Sequence, residues 1–131
     1  MRERFGRARV AYLATVGADG APHLVPMVFA LVEDVIHSAV DGKPKRHTAL
    51  RRLANIGHEP RVSVLADRYD DDWNRLWWVR ADGVAQVRAA SPAGLAALTA
   101  KYPQYVTSPP PGPFLEITVR RWSGWSADPD L

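Results

Sequence analysis

The feature that most constrains this chain is how closely its β-type segments follow one another. Arg9–Val16 is rich in strand formers, and Gly17-Ala18-Asp19-Gly20 supplies a turn with two glycines able to take positive φ. A long apolar run, Leu24–Val32, then turns at Glu33-Asp34 straight into Val35–Val40. Connections this short leave no room for the crossover of about a dozen residues that a parallel pair needs, so neighbours must pair antiparallel. The three segments predict a meander. Pro26 interrupts the middle one, and because it cannot donate a ladder hydrogen bond it belongs at an edge, a bulge or a split in the sheet.

The rest of the chain keeps the same rhythm with two helical inserts. Leu50, Leu53 and Ile56 recur at helical spacing, predicting a helix over Thr48–His58 with Thr48 as N-cap and Gly57 just past its end. Arg61–Ala66 reads as a strand. The acidic loop Asp67–Asp72 leads into a long strand from Leu76 to about Ala90. Ser91-Pro92 is a strong helix start, serine capping and proline at the first helical position. Leu95, Leu98 and Tyr102 share a face before Pro103 stops that helix. Ser108–Pro113 is a stiff extended connector, and Phe114 to about Ser123 is the last strand. Six strands with two or three helices and no βαβ rhythm predict a mainly β (α+β) fold, a small antiparallel barrel with helices packed outside. At 131 residues the chain makes one domain, residues 1–131, with a single core.

Composition narrows the chemistry. Without cysteine there can be no disulfide, thiolate metal site or cysteine nucleophile. No apolar run approaches the ~20 residues that span a bilayer, and Met1-Arg2-Glu3-Arg4 leads into no signal-type apolar core, so a soluble cytoplasmic protein without membrane contact is expected. The net charge of +3 is spread over arginines from Arg2 to Arg121, many beside acids, which does not suit nucleic acid. His23, His37, His47 and His58 show no metal-ligand spacing, and the Asp67–Asp72 loop lacks the glycine and closing glutamate of a calcium loop. No nucleophile elbow, P-loop or dinucleotide fingerprint is present. Any reaction is therefore expected to be a cofactor's, with the protein supplying position and electrostatics.

Two stretches can bind. Asp41–His47 sets Lys43, Lys45, Arg46 and His47 at the start of a helix, where N–H groups favour an anion but cations oppose the helix dipole, so the basic cluster fits a bound phosphate. It also fits a solvent-exposed basic turn. Trp73–Arg80 carries Trp77 and Trp78 next to each other on a strand. Their side chains point to opposite faces, so one can enter the core while the other turns to a planar ligand or partner subunit; simple core packing of both is the alternative.

In order and spacing these pieces resemble the pyridoxamine 5′-phosphate oxidase-like flavin-binding split β-barrels. Ala11–Phe29 resembles the family's opening hairpin. Lys45, Leu50–Ile56 and Pro60–Leu65 resemble its lysine, helix and following strand. Tyr69–Arg80 and Trp122-Ser-Gly-Trp125 are similar to the actinobacterial subgroup that uses the deazaflavin coenzyme F420. The resemblance implies a six-stranded FMN-binding-like split barrel and a homodimer with two cofactor sites at its interface. It places the cofactor phosphate on Ser38, Lys43, Lys45 and Arg46, Lys45 being the closest match. The ring would lie along the second strand at Pro26, Met27 and Val28, with Trp78 contributing across the dimer. The implied activity is hydride transfer between coenzyme F420 and a small organic substrate. An FMN-dependent enzyme, an FMN-binding protein and a non-catalytic cofactor carrier are the alternatives. The tail Trp125–Leu131 lacks the arginine and histidine with which true pyridoxamine phosphate oxidases hold their substrate, so vitamin B6 oxidation is not expected.

Overall fold

The computed structural model describes residues 1–40 and 46–128, leaving aside the side chains of residues 46–50. Among the described residues the strands are β1 (Ala11–Val16), β2 (Pro22–Met27), β3 (Ala30–Val32), β4 (Val35–Ala39), β5 (Arg61–Arg68), β6 (Trp77–Arg88) and β7 (Phe114–Ser126). The helices are α1 (Arg2–Arg7), α2 (Arg46–His58), α3 (Pro92–Lys101) and α4 (Gln104–Thr107), with a 3-10 turn at Trp73–Arg75. None is long and apolar enough to cross a membrane.

The strands form one antiparallel sheet in the order β2-β1-β5-β6-β7-β4-β3. This corrects the expected count and topology. The Leu24–Val32 run is two strands instead of one, and they lie at opposite ends of the sheet instead of forming a meander. The cause is at Val28-Phe29. Phe29 donates its N–H to the Tyr102 hydroxyl at 3.1 Å, and that hydroxyl also lies 2.8 Å from the Phe29 carbonyl. The Ser38 hydroxyl donates to the Val28 carbonyl at 2.8 Å. Side chains thus take up the backbone groups that would have continued a ladder.

The ladder is open, because β2 and β3 each have a strand neighbour on one side only. It is nevertheless strongly curled. Only Val28 and Phe29 separate Met27 from Ala30, so those Cα atoms lie no more than about 11 Å apart. Val25 and Met27 of one edge pack in the same buried cluster as Ile36, next to the other edge. Phe5 of α1 and Phe29 close this core, their ring centroids 4.9 Å apart, and Trp122 meets Phe5 edge-on at 5.1 Å. Ile56 of α2 enters the same cluster, and Asn55 docks the helix by donating to the buried Thr15 hydroxyl at 3.1 Å.

The helix starts divide the sequence reading. Ser91 caps α3 as expected, its side chain accepting from the Gly94 N–H, with Pro92 first in the helix. By contrast α2 begins at Arg46, so Thr48 lies inside it, and Gly57 is helical because the helix runs to His58. Four helices replace the expected two or three; α1 and α4 are short pieces held by packing. The turn at Glu33-Asp34 is as expected, with Glu33 at φ 54°.

Candidate functional site

Burial along β6 alternates, with Val79, Ala81, Gly83 and Ala85 on the core side. Trp77 shares their parity, packs against the main cluster and carries the Arg4 guanidinium 5.4 Å from its ring centroid. Trp78 is therefore on the outer face, opposite Trp125 on β7 and Asp67 on β5. The register extends this face across the sheet: Pro26 lies opposite Tyr12, Tyr12 opposite Leu65, and Leu65 opposite Arg80. Tyr12, Leu24 and Trp125 are all exposed there.

Pro26 sits on β2, the outermost strand, where a missing N–H is tolerated. Among the described residues no strand pairs with the outer side of β2, so its backbone is available to a ligand. The Met27 side chain is buried in the core, leaving only its backbone for such a role. Val28 is half-buried, with its carbonyl already accepting from Ser38. Ser38 itself is buried, its hydroxyl committed to that bond. Pro26, Met27, Val28 and Ser38 are thus brought together at the break between β2 and β3, and Trp78 stands on the neighbouring outer face. Lys43 and Lys45 lie outside the described residues. Arg46 opens α2, and its side chain lies outside them too.

Sequence reasoning missed the group that positions this break. The sequence pattern places Tyr102 only on one helix face with Leu95 and Leu98. Its hydroxyl accepts from Phe29 and has one proton for the carbonyls of Arg9 at 2.9 Å and Phe29 at 2.8 Å. Burial pushes this phenol above its usual range. The need of a buried tyrosine hydroxyl for a partner was the available signal. Beside it, Lys101 donates to the Ala8 carbonyl at 2.6 Å and lies 3.8 Å from the Phe29 ring centroid. Burial, with a smaller contribution from Arg9, pushes its amine down to about 8.

A second polar cluster fixes the other end of α3. The Ser91 hydroxyl that caps the helix also donates to Glu116 at 2.7 Å, and Arg88 pairs with the second oxygen of that carboxylate. The Ser91 bond, then Arg88, holds Glu116 below the usual carboxylate range. His37, opposite Glu116 on β4, is buried, and burial depresses its pKa against the pull of that carboxylate. These groups form a network under α3, away from the exposed outer face.

The architecture is thus a curled antiparallel sheet with an exposed edge and a side-chain-pinned break. The chain belongs to the pyridoxamine 5′-phosphate oxidase family, whose model matches residues 1–126. Among curated proteins no significant match was found. Several solved structures share the fold. An FAD-binding protein from Mesorhizobium loti matches at 20% identity and TM-score 0.69, over 94% of this chain and 89% of that one. An F420 reductase matches at 21% identity and TM-score 0.66, covering 90% and 91%. The haem storage protein HutZ from Vibrio cholerae matches at 14% identity and TM-score 0.68, covering 95% and 92%. At these identities the likeness is one of fold.

Proposed function

We propose that this protein is a coenzyme F420-dependent oxidoreductase, moving a hydride between the deazaflavin and a small organic substrate, and that it works as a homodimer. The observation that carries this reading is the unpaired outer edge of β2 beside the exposed face of Pro26, Tyr12, Leu65 and Trp78. A flat ring needs an apolar surface and backbone groups for its polar edge, and both are present. The Ser38 and Tyr102 bonds hold the Val28-Phe29 backbone beside that edge, so little ordering is needed on binding. Lys45, with Lys43 and Arg46, is assigned to the phosphate by its place in the family pattern. Bound there, the deazaflavin would supply two-electron hydride chemistry. The protein's part is to hold the ring and exclude water, and no side chain is assigned as proton donor. A second copy on the exposed face would cover Leu24 and Trp125 and complete the site with Trp78.

Equilibrium binding of coenzyme F420 and of FMN to the apo protein, side by side, tests the reading. Preference for the deazaflavin is expected, with a loss of about tenfold or more on Lys45→Ala, the order of one charged hydrogen bond. Unchanged affinity in that variant removes Lys45 as the anchor. Tighter FMN binding makes this an FMN enzyme or FMN-binding protein instead. A carrier is the second reading, favoured by the storage protein that shares the fold. Tight binding without turnover on a broad substrate panel would select it.

A further inference from the structure

The β6–β7 ladder breaks register at Asp82/Gly83. Asp82 faces Arg121 and Gly83 faces Val119, so Arg120 is an extra residue with no partner on β6. A bulge of this kind bends the strand and re-aims a side chain. The burial pattern shows the result: Val119 is buried, but Arg120 and Arg121 are both exposed, where strict alternation would have turned one inward. Gly83 is what permits it. A Cβ there would run into the Thr118 carbonyl oxygen of the facing strand.

Arg120 lines a groove of about 540 Å³ at the far end of the β1–β2 hairpin. It lies four residues along β2 from Pro26, about 13 Å away. Val16, Pro22, Val62 and Val84 give it an apolar lining. The volume is that of a small-molecule site. The charges at the groove divide unevenly. Glu59 accepts two side-chain hydrogen bonds from Arg61, at 2.6 and 3.1 Å. Asp82 accepts from the Ser63 hydroxyl at 2.6 Å and pairs with Arg80 at 3.3 Å. Both carboxylates are thus compensated, whereas Arg120 has no hydrogen-bond or ionic partner among the described residues. The groove presents an apolar lining with one uncommitted guanidinium, whose fork matches a carboxylate or a phosphate.

We propose that the groove between the β1–β2 hairpin end and the β6–β7 bulge is a binding site for a small organic anion. Its carboxylate or phosphate pairs with Arg120, and its apolar body lies against Val16, Pro22, Val62 and Val84. The groove lies on the same face of the sheet as the candidate ring site, and its test reads binding without reference to the cofactor.

The test follows backbone amide shifts of the isotopically labelled full chain during titration with 3-phenylpropionate, phenyl phosphate and neutral 3-phenylpropanamide. Saturable shifts at Ser63, Gly83 and Val84 are expected with at least one acid and not with the amide. Which acid binds more tightly separates a carboxylate ligand from a phosphate ligand. Arg120→Gln should weaken binding about tenfold or more, while Arg121→Gln, one residue along on the same face, should leave it within about twofold. The site is refuted if neither acid moves those amides saturably, if the amide binds equally well, or if Arg120→Gln binds as wild type does. Equal weakening by both arginine variants would also refute it, since that marks diffuse surface charge.

Discussion

The two sides of this sheet are finished differently. At the β3–β4 end α3 covers the strands, and the polar side chains around it are matched apart from the buried Nδ1 of His37, which has no hydrogen-bond partner among the described residues. Tyr102 pins Phe29, Ser38 holds Val28, and Ser91 serves both the helix cap and Glu116. Around β1 and β2 the outer face keeps Tyr12 and Leu24 in solvent, and among the described residues no strand pairs with the outer side of β2. A protein that invests in a helix cover at one end does not lack the means to cover the other. The contrast teaches that the covered end spends its polar groups on holding the fold, whereas the bare face is the one on which the proposed function rests.

Leucine truncations at the two ends should separate most widely. Leu98, on the inner side of α3, is fully buried, and Leu24 is 67% exposed. Leu98→Ala should cost about 2–5 kcal/mol of unfolding free energy. Leu24→Ala should stay within about 0.5 kcal/mol in dilute protein. Urea unfolding at several protein concentrations checks both. If Leu24→Ala becomes costly as concentration rises, a second copy covers the bare face, as the proposed homodimer requires.

A smaller effect is expected from deleting one oxygen. Tyr102→Phe keeps the ring against Leu98 and Phe114 but strips the partner from the Phe29 N–H and from the Arg9 and Phe29 carbonyls. Leaving such buried groups unpaired should cost about 1–3 kcal/mol. Because the hydroxyl also fixes the break beside the candidate ring site, cofactor affinity should fall with it. Lost stability with unchanged affinity would make Tyr102 purely architectural.

What could be read from residues alone follows the range of the interactions involved. Strand alternation, the Ser91-Pro92 helix start and the restriction of Pro26 to an edge, a bulge or a split are local, and they were legible. The family likeness was also carried by local runs, from Ala11–Phe29 to Trp122–Trp125. The break at Val28-Phe29 was not legible, because its causes lie 10 and 73 residues away, at Ser38 and Tyr102. That one long-range feature turned six expected strands into seven and a meander into two separated hairpins. The Arg120 groove escaped for a similar reason: nothing near Arg120 announces a bulge whose enabling residue is Gly83 on another strand. Ser38 has a second role that local sequence does not announce. The family resemblance assigns it to the cofactor phosphate; the structure shows it buried, its hydroxyl donating to the Val28 carbonyl.

The finest probe of the covered end is Lys101, where two influences oppose each other. Burial and the Arg9 guanidinium disfavour the ammonium, lowering its pKa from the ordinary 10.5 to about 8. The Phe29 ring face and the Ala8 carbonyl favour it. With the folded pKa depressed, the unfolded chain binds more protons between about pH 8 and 10.5, so stability should rise with pH across that window and be lost again as pH falls through it. Lys101→Met removes the titration but keeps most of the packing, and should abolish that rise. Urea unfolding of both proteins at pH 7, 8.5 and 10 measures the difference. Because the amine is only half-buried, solvent screening should keep the effect small. A flat difference would mean that the ring face and the carbonyl together offset the burial, placing Lys101 among the fully matched groups of this end.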